Sequence, residues 1–166
     1  QQIEIDAIKL AIYKSSLAIE FDMNGIILSA NSIFENIMGY RIDEIVGKHH
    51  EILIDKEYGR SREYKEFWNN LRNGQYQEGE FGRVTKDGST VYIKGNYNPI
   101  LDAQGKPYQL LKIATDVSIA RNQAEELVIK ARELELKQLQ LTQMNQKLHS
   151  HSEDLSAQHQ KLQRIN

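Results

Sequence analysis

The sequence predicts an α+β domain built on one antiparallel sheet, followed by a long α-helix of coiled-coil type. Three observations predict it. All ten glycines and both prolines lie before residue 108, and the chain then runs to residue 166 without either. Since both residue types interrupt helices, their joint disappearance marks a boundary near Asp116. Tight-turn pairs, Asn24-Gly25 and Asp87-Gly88, join β-rich runs, and short helical runs sit between the first two strands and the last three. Finally, Leu127, Leu134, Leu141, Leu148, Leu155 and Leu162 recur every seventh residue, the period of a coiled-coil seam.

The elements follow in order. Ile3, Ile5, Ile8 and Ile12 give the first sixteen residues one apolar helical face. LAIEFD and GIILSA form a hairpin across Asn24-Gly25. Asn31 suits the N-cap of a helix that Gly39 stops, and RIDEIVGK makes a further helical turn ended by Gly47. Residues 48–60 lack a clear period and read as short turns and loop. Ser61 opens a better helix with Tyr64, Phe67, Trp68 and Leu71 on one face, stopped by Gly74. Three strands of a meander complete the domain. They run from Tyr76, from Ser89 and from Pro107, joined by Lys86-Asp87-Gly88-Ser89 and Asp102-Ala103-Gln104-Gly105. Grouped helices place themselves on one face of such a sheet.

Composition excludes several function classes. The 21 basic and 23 acidic residues nearly balance, giving a formal charge of −2, so no overall field favours nucleic acid or an anionic membrane. Without cysteine there are no disulfides, thiolate metal sites or cysteine nucleophiles. No apolar run is long enough to span a bilayer, and the first residues lack a secretory signal. The expected setting is the cytoplasm, and the missing initiator Met suggests a piece of a longer protein. No phosphate-binding glycine loop, HExxH or GxSxG occurs. The chain is therefore not expected to be an enzyme, and any output enzyme lies beyond it.

Residues 10 to 118 resemble a PAS domain of the bacterial chemotaxis-receptor and sensor-kinase type. The resemblance is carried by FDMNGIILSANSIFENIMGY, RIDEIVGK, EFWNNLRNG, GEFGRVTKDGSTVYIKGNYNPILDAQGKP and LLKIATDVS, in that order. It implies a PAS fold, a five-stranded antiparallel sheet with short helices on one face, enclosing a small cavity. It also divides the chain into an amphipathic helix (1–16), a sensory domain (17–117) and a dimeric signalling helix (118–166). Such a module senses a redox, oxygen or metabolite signal and relays it to a downstream domain in cis. A ligand-free PAS dimerisation module is the alternative.

The same resemblance supplies two cofactor readings. Haem domains similar to these receptors carry the iron ligand in the short-helix region, where His49 and His50 stand side by side. Adjacent residues on a turn diverge, so only one, His50 by preference, would ligate the iron of haem b; a solvated pair is the plain alternative. The stretch around Trp68 resembles FAD-binding aerotaxis domains, with Asn31 and His50 at matching positions. Two departures weaken the FAD reading: Tyr76 replaces a Trp, and Gly82 replaces the strand Asn that bonds the flavin. Trp68 as core filler, and no cofactor at all, remain open. Asn96 and Asn98 share one face of their strand, either lining the cavity or facing solvent, with Tyr97 on the other.

Signal relay is expected at the start of the long helix and along its seam. Thr115 and Asp116 resemble the family's exit motif, and the Asp116 carboxylate can cap the helix start. With the six leucines at d, the a positions are Ala124, Ala131, Gln138, Asn145, Ser152 and His159. Polar a residues such as Gln138 and Asn145 set register at a cost in stability. The leucine seam is expected to form a homodimer, and contact with nucleic acid or membrane is not expected.

Overall fold

The computed structural model describes residues 2–165. They form two compact units, Gln1–Arg121 and Asn122–Asn166. Gln1 and Asn166, the outermost residues of the expected segments, lie outside the described residues.

In the first unit, helix α1 (Gln2–Ser15) leads into strands β1 (Leu17–Asp22) and β2 (Ile27–Ala30). Helices α2 (Ser32–Met38) and α3 (Ile42–Ile45), a 3₁₀ turn (His50–Leu53), α4 (Lys56–Gly59) and α5 (Arg62–Arg72) follow. Strands β3 (Gln77–Val84), β4 (Thr90–Leu101) and β5 (Pro107–Asp116) complete the sheet. Its order is β2-β1-β5-β4-β3, antiparallel throughout. The strand that arrives last therefore lies in the middle, between β1 and β4. Element types and order match the expected α+β fold, with strand ends shifted by a residue or so.

Alternation decides what faces the helices. Leu17, Ile19 and Phe21 on β1, Ile93 and Tyr97 on β4, and Leu110, Lys112 and Ala114 on β5 are all buried. Against them α5 lays Tyr64, Phe67, Trp68 and Leu71, spaced three and four apart and almost fully buried. α1 differs from its expected amphipathic role. Ile3 and Ile8 are largely exposed, and the side chain of Ile5 lies outside the described residues.

Two glycines are demanded by close approach. At Gly95, opposite Ala114, a Cβ would run into the Ile113 carbonyl oxygen and the Ala114 Cα. At Gly25 the backbone takes φ +82°, and a Cβ would stand 2.6 Å from His49 Nε2 and 3.0 Å from the Trp68 ring. The hairpin turn is thus pressed onto the histidine pair.

Asn31 joins three elements. Its Oδ1 accepts from Phe34 N at 3.0 Å, capping α2, and from Ala18 N at 3.1 Å. Its Nδ2 donates to the carbonyls of Tyr13 (2.8 Å) and Ser16 (2.7 Å). Asn31→Ala leaves four backbone groups without their partner. We expect a loss of roughly 2–4 kcal/mol in urea unfolding, above the ~1 kcal/mol of an ordinary cap. Asn31→Asp keeps both acceptor bonds but turns a carboxylate oxygen toward the Tyr13 and Ser16 carbonyls, so it should recover little of the loss at neutral pH.

Candidate functional site

The site starts from the turn that follows Gly47. His50 N donates to Gly25 O at 2.8 Å, and Ile26 bridges to His49, so the β1–β2 hairpin holds the histidine pair. The 3₁₀ turn then sends the two rings apart. His49 stays at the surface, with Nδ1 accepting from Glu51 N at 3.1 Å. His50 is completely buried. Five rings surround it, those of Phe21, Trp68, Tyr97, Tyr64 and Phe67, with centroids 5.3 to 6.2 Å away.

Both His50 nitrogens are engaged. Nε2 lies 3.1 Å from the Tyr97 hydroxyl and Nδ1 2.9 Å from the Tyr64 hydroxyl. Arg83 fixes the direction of these bonds. Its Nη2 and Nε donate to Tyr97 Oη at 2.8 and 3.3 Å, filling both lone pairs of that oxygen. The Tyr97 proton must therefore go to His50 Nε2, and Nδ1–H donates to Tyr64. The imidazole is neutral, and a chain Arg83–Tyr97–His50–Tyr64 runs from β3 through β4 and the 3₁₀ turn to α5. Burial pushes the Tyr64 hydroxyl up to about 12.

Positive charge dominates this interior. Arg83 and Lys112 are each only 2% exposed. The Lys112 ammonium sits 4.7 Å over the Tyr97 ring, and the Arg83 guanidinium 4.9 Å over that of Phe81. Among the described residues neither pairs with a carboxylate; Arg83 has only Tyr97 and the Gly82 carbonyl as acceptors. Burial, then the Arg83 charge, holds the Lys112 amine well below the usual lysine range. One more donor is stranded, the buried indole N–H of Trp68, which has no hydrogen-bond partner. The Tyr64 hydroxyl feels that dipole but stands outside hydrogen-bond geometry.

This packing tests both cofactor readings. In the His50 imidazole the one lone pair is taken by Tyr97 and the N–H by Tyr64, so nothing is left for haem iron. Among the described residues no group of three His, Cys, Asp or Glu could hold a metal ion. The donors Arg83, Lys112 and Trp68 N–H suit the acceptor-rich edge of a flavin. A three-ring system would still have to move the His50 ring from the centre of its aromatic cage.

The other expected residues are spread out. Trp68 joins the cage and, with His49, Tyr64, Lys65 and Arg72, lines an outer cleft of about 350 Å³. Asn31 has all four hydrogen-bonding positions occupied, as described. Asn96 stands on the opposite face of β4 from Tyr97, its Oδ1 accepting from Asn98 Nδ2 at 2.8 Å. Sequence reading missed Arg83 and Lys112. Strand alternation offered the signal, since each shares the inward parity of apolar neighbours, Phe81 for one and Leu110 and Ala114 for the other.

At the exit, Asp116 Oδ1 accepts from Ser118 N at 2.9 Å. Tyr92 N donates to Ser118 Oγ at 2.9 Å, and Val117 N to Tyr92 O at 2.8 Å. Thr115 Oγ1 reaches Lys94 O at 3.4 Å. Arg121, unforeseen from the sequence, ion-pairs with Glu80 at 2.7 Å and lies 4.0 Å over the Tyr92 ring. Helix α6 (Ser118–Ile165) is about 72 Å long at 1.5 Å per residue. All six seam leucines are more than half exposed on the single chain, and Gln138 and Asn145 are exposed on the same helix.

Acid should weaken this centre. Burial first, then the charges of Arg83, Lys112 and His49, hold the His50 pKa well below its usual 6.5. On acidification through about 6.5 the unfolded chain binds a proton that the folded one refuses. The His50 contribution is full above that value and falls below it, at up to ~1.4 kcal/mol per pH unit. Urea titrations at pH 8, 6 and 5 should show the fall. His50→Gln should start lower by about 1–3 kcal/mol and show a flatter acid slope; an equally steep slope would assign the proton elsewhere.

Residues 27–114 match the family model described as PAS fold. The biofilm dispersion protein BdlA of Pseudomonas aeruginosa is 38% identical over 117 residues, covering 70% of this chain and 28% of that protein. The bacterioopsin transcriptional activator of Halobacterium salinarum is 29% identical over 92 residues, or 55% and 14% of the two chains. The chain thus spans little more than a quarter of the longer-matched relative. Among solved structures, the PAS domain of a Colwellia psychrerythraea protein superposes with TM-score 0.60 at 22% identity, covering 70% of this chain and 98% of that one. An RNA-binding light-oxygen-voltage receptor gives 0.63 at 18% identity, covering 78% and 38%. With more than half of its residues inside the family model, the chain belongs to the PAS fold family.

Proposed function

We propose that this chain is the sensory segment of a longer cytoplasmic signalling protein. It binds a small ligand inside the PAS domain and passes the result through a homodimeric coiled coil to a receptor or kinase output domain. The observation that carries this reading is the buried chain Arg83–Tyr97–His50–Tyr64. Its polar groups connect sheet and helices through one neutral imidazole, so a ligand that displaces any member alters both layers. Three bonds tie the Tyr92 backbone and Asp116 to the start of α6, which gives β4 and β5 a direct route to the helix. A ligand acts only by binding two arrangements with different affinity.

The seam leucines support the dimer. Helices draw most of their stability from packing an apolar face, and a second copy offers a matching row of leucines. Sedimentation of the chain ended after Arg121 should show weaker self-association than the whole chain. An equally tight dimer would move the interface to the PAS unit.

Gln138 and Asn145 are the natural points at which the seam stays adjustable. Replacing both with Ile should add several kcal/mol per dimer, since each buried aliphatic side chain contributes roughly 1.5–3 kcal/mol. That exceeds a coupling of about 1–3 kcal/mol. In the complete protein the variant should bind ligand normally, melt higher and lose ligand-dependent output.

Flavin is the second reading, favoured by the stranded Trp68 N–H and by the fold shared with a structure whose subject is a flavin analogue in a light-oxygen-voltage domain (18% identity, TM-score 0.59). The visible spectrum of the purified protein separates the two readings, because a bound flavin colours it yellow.

A further inference from the structure

The interior holds an unbalanced set of polar groups. Arg83, Lys112 and the Trp68 N–H are all donors, and all are almost completely buried. Among the described residues Arg83 finds one phenol oxygen and one backbone carbonyl, and neither Arg83 nor Lys112 finds a carboxylate. Buried charges are normally paired, because an unpaired one loses its hydration without return. A guanidinium cannot escape by giving up its proton. Tyr97 serves as a neutral substitute for a counter-ion. Its oxygen takes two guanidinium N–H groups and its ring lies under the Lys112 ammonium.

We propose that the PAS interior takes a small, flat organic carboxylate, its anionic end held by Arg83 and Lys112 and its body by the rings of Phe67, Phe81 and Trp68. The class follows from the donors and the walls. Two guanidinium N–H groups already converge on one acceptor, and a carboxylate accepts such a pair in parallel. The walls are rings: Phe67 meets Phe81 and Trp68 edge to face, with centroids 6.2 and 5.8 Å apart, so these rings must part to admit a body and would then offer it flat faces. Cationic ligands are repelled, and a macromolecule cannot reach residues this buried. The outer cleft lined by Tyr64 and Trp68 has the cage on the far side of those two rings, and so marks the entrance.

The proposal rests on the sensor reading and deepens it. A carboxylate on Arg83 takes over the N–H groups now given to Tyr97. Tyr97 then loses the acceptance that aims its proton at His50, and the chain to α5 opens at its middle. Arrival of the anion and release of the sheet–helix connection become one event.

Benzoate and benzamide, equal in shape and different in charge, test it on the whole 166-residue chain. By isothermal titration, benzoate should bind about tenfold or more tightly than benzamide, the ratio one charge-assisted hydrogen bond supplies. Lys112→Met, which substitutes an unbranched apolar chain and should fold, should cut benzoate affinity about tenfold and leave benzamide unchanged. Arg83→Gln should do the same wherever circular dichroism shows the fold retained. Equal affinities, no saturable binding of benzoate into the millimolar range, or a benzoate affinity unchanged by Lys112→Met would each overturn the anion site. A flavin released from the purified protein would also overturn it while leaving the sensor reading intact. Charge-selective benzoate binding without any change in helix self-association would uphold the anion site and sink the sensor reading.

Discussion

A neutral histidine at the centre of the PAS unit is the constraint on which its interior depends. His50 can be buried among five rings only if both nitrogens find partners and the ring stays uncharged. Tyr64 and Tyr97 meet the first condition. Arg83 meets the second, because its two bonds to the Tyr97 oxygen force the phenol to donate. Each residue in the chain comes from a different element. Removing one frees a buried donor or acceptor in another layer, so the cost of a substitution here spreads beyond the residue replaced.

Most of the architecture could be read from local signals. The Asn24-Gly25 and Asp87-Gly88 turns, the Asn31 cap, the α5 stripe and the passage from strand to helix after Asp116 all depend on residues close together in sequence, and each stands where local chemistry puts it. The site was less legible. His50 and Trp68 were singled out and do meet; what they meet with was not. Arg83 lies 33 positions after His50 and Lys112 another 29, so only the sheet register brings them to one place. A charged residue on a strand is ordinarily assigned to solvent. Asn96 shows the converse difficulty. Alternation separates it from Tyr97, but only burial reveals which of the two faces is the interior.

Placing the last strand in the middle of the sheet has mechanical meaning. β5 is hydrogen-bonded along both sides, to β1 and β4, and a single residue, Val117, separates it from α6. A strand held on both flanks cannot slide alone. Tyr92, Ser118 and the Arg121–Glu80 pair tie the helix start to that sheet, so in the proposed relay a change in the interior would arrive there as a movement of the sheet.

The sheet also has an open side. β3 pairs only with β4, so its outer row of backbone N–H and C=O groups has no strand beside it. An edge of that kind invites another chain to add itself. Here Glu78 and Glu80 stand on the same exposed face of β3, with Glu80 already paired with Arg121, and Gly79 between them adopts φ +152° while keeping its place in the ladder. A passing strand would have to accommodate the Glu78 carboxylate and the Glu80–Arg121 pair beside it. Along β3 an approaching chain thus meets charge before it meets backbone.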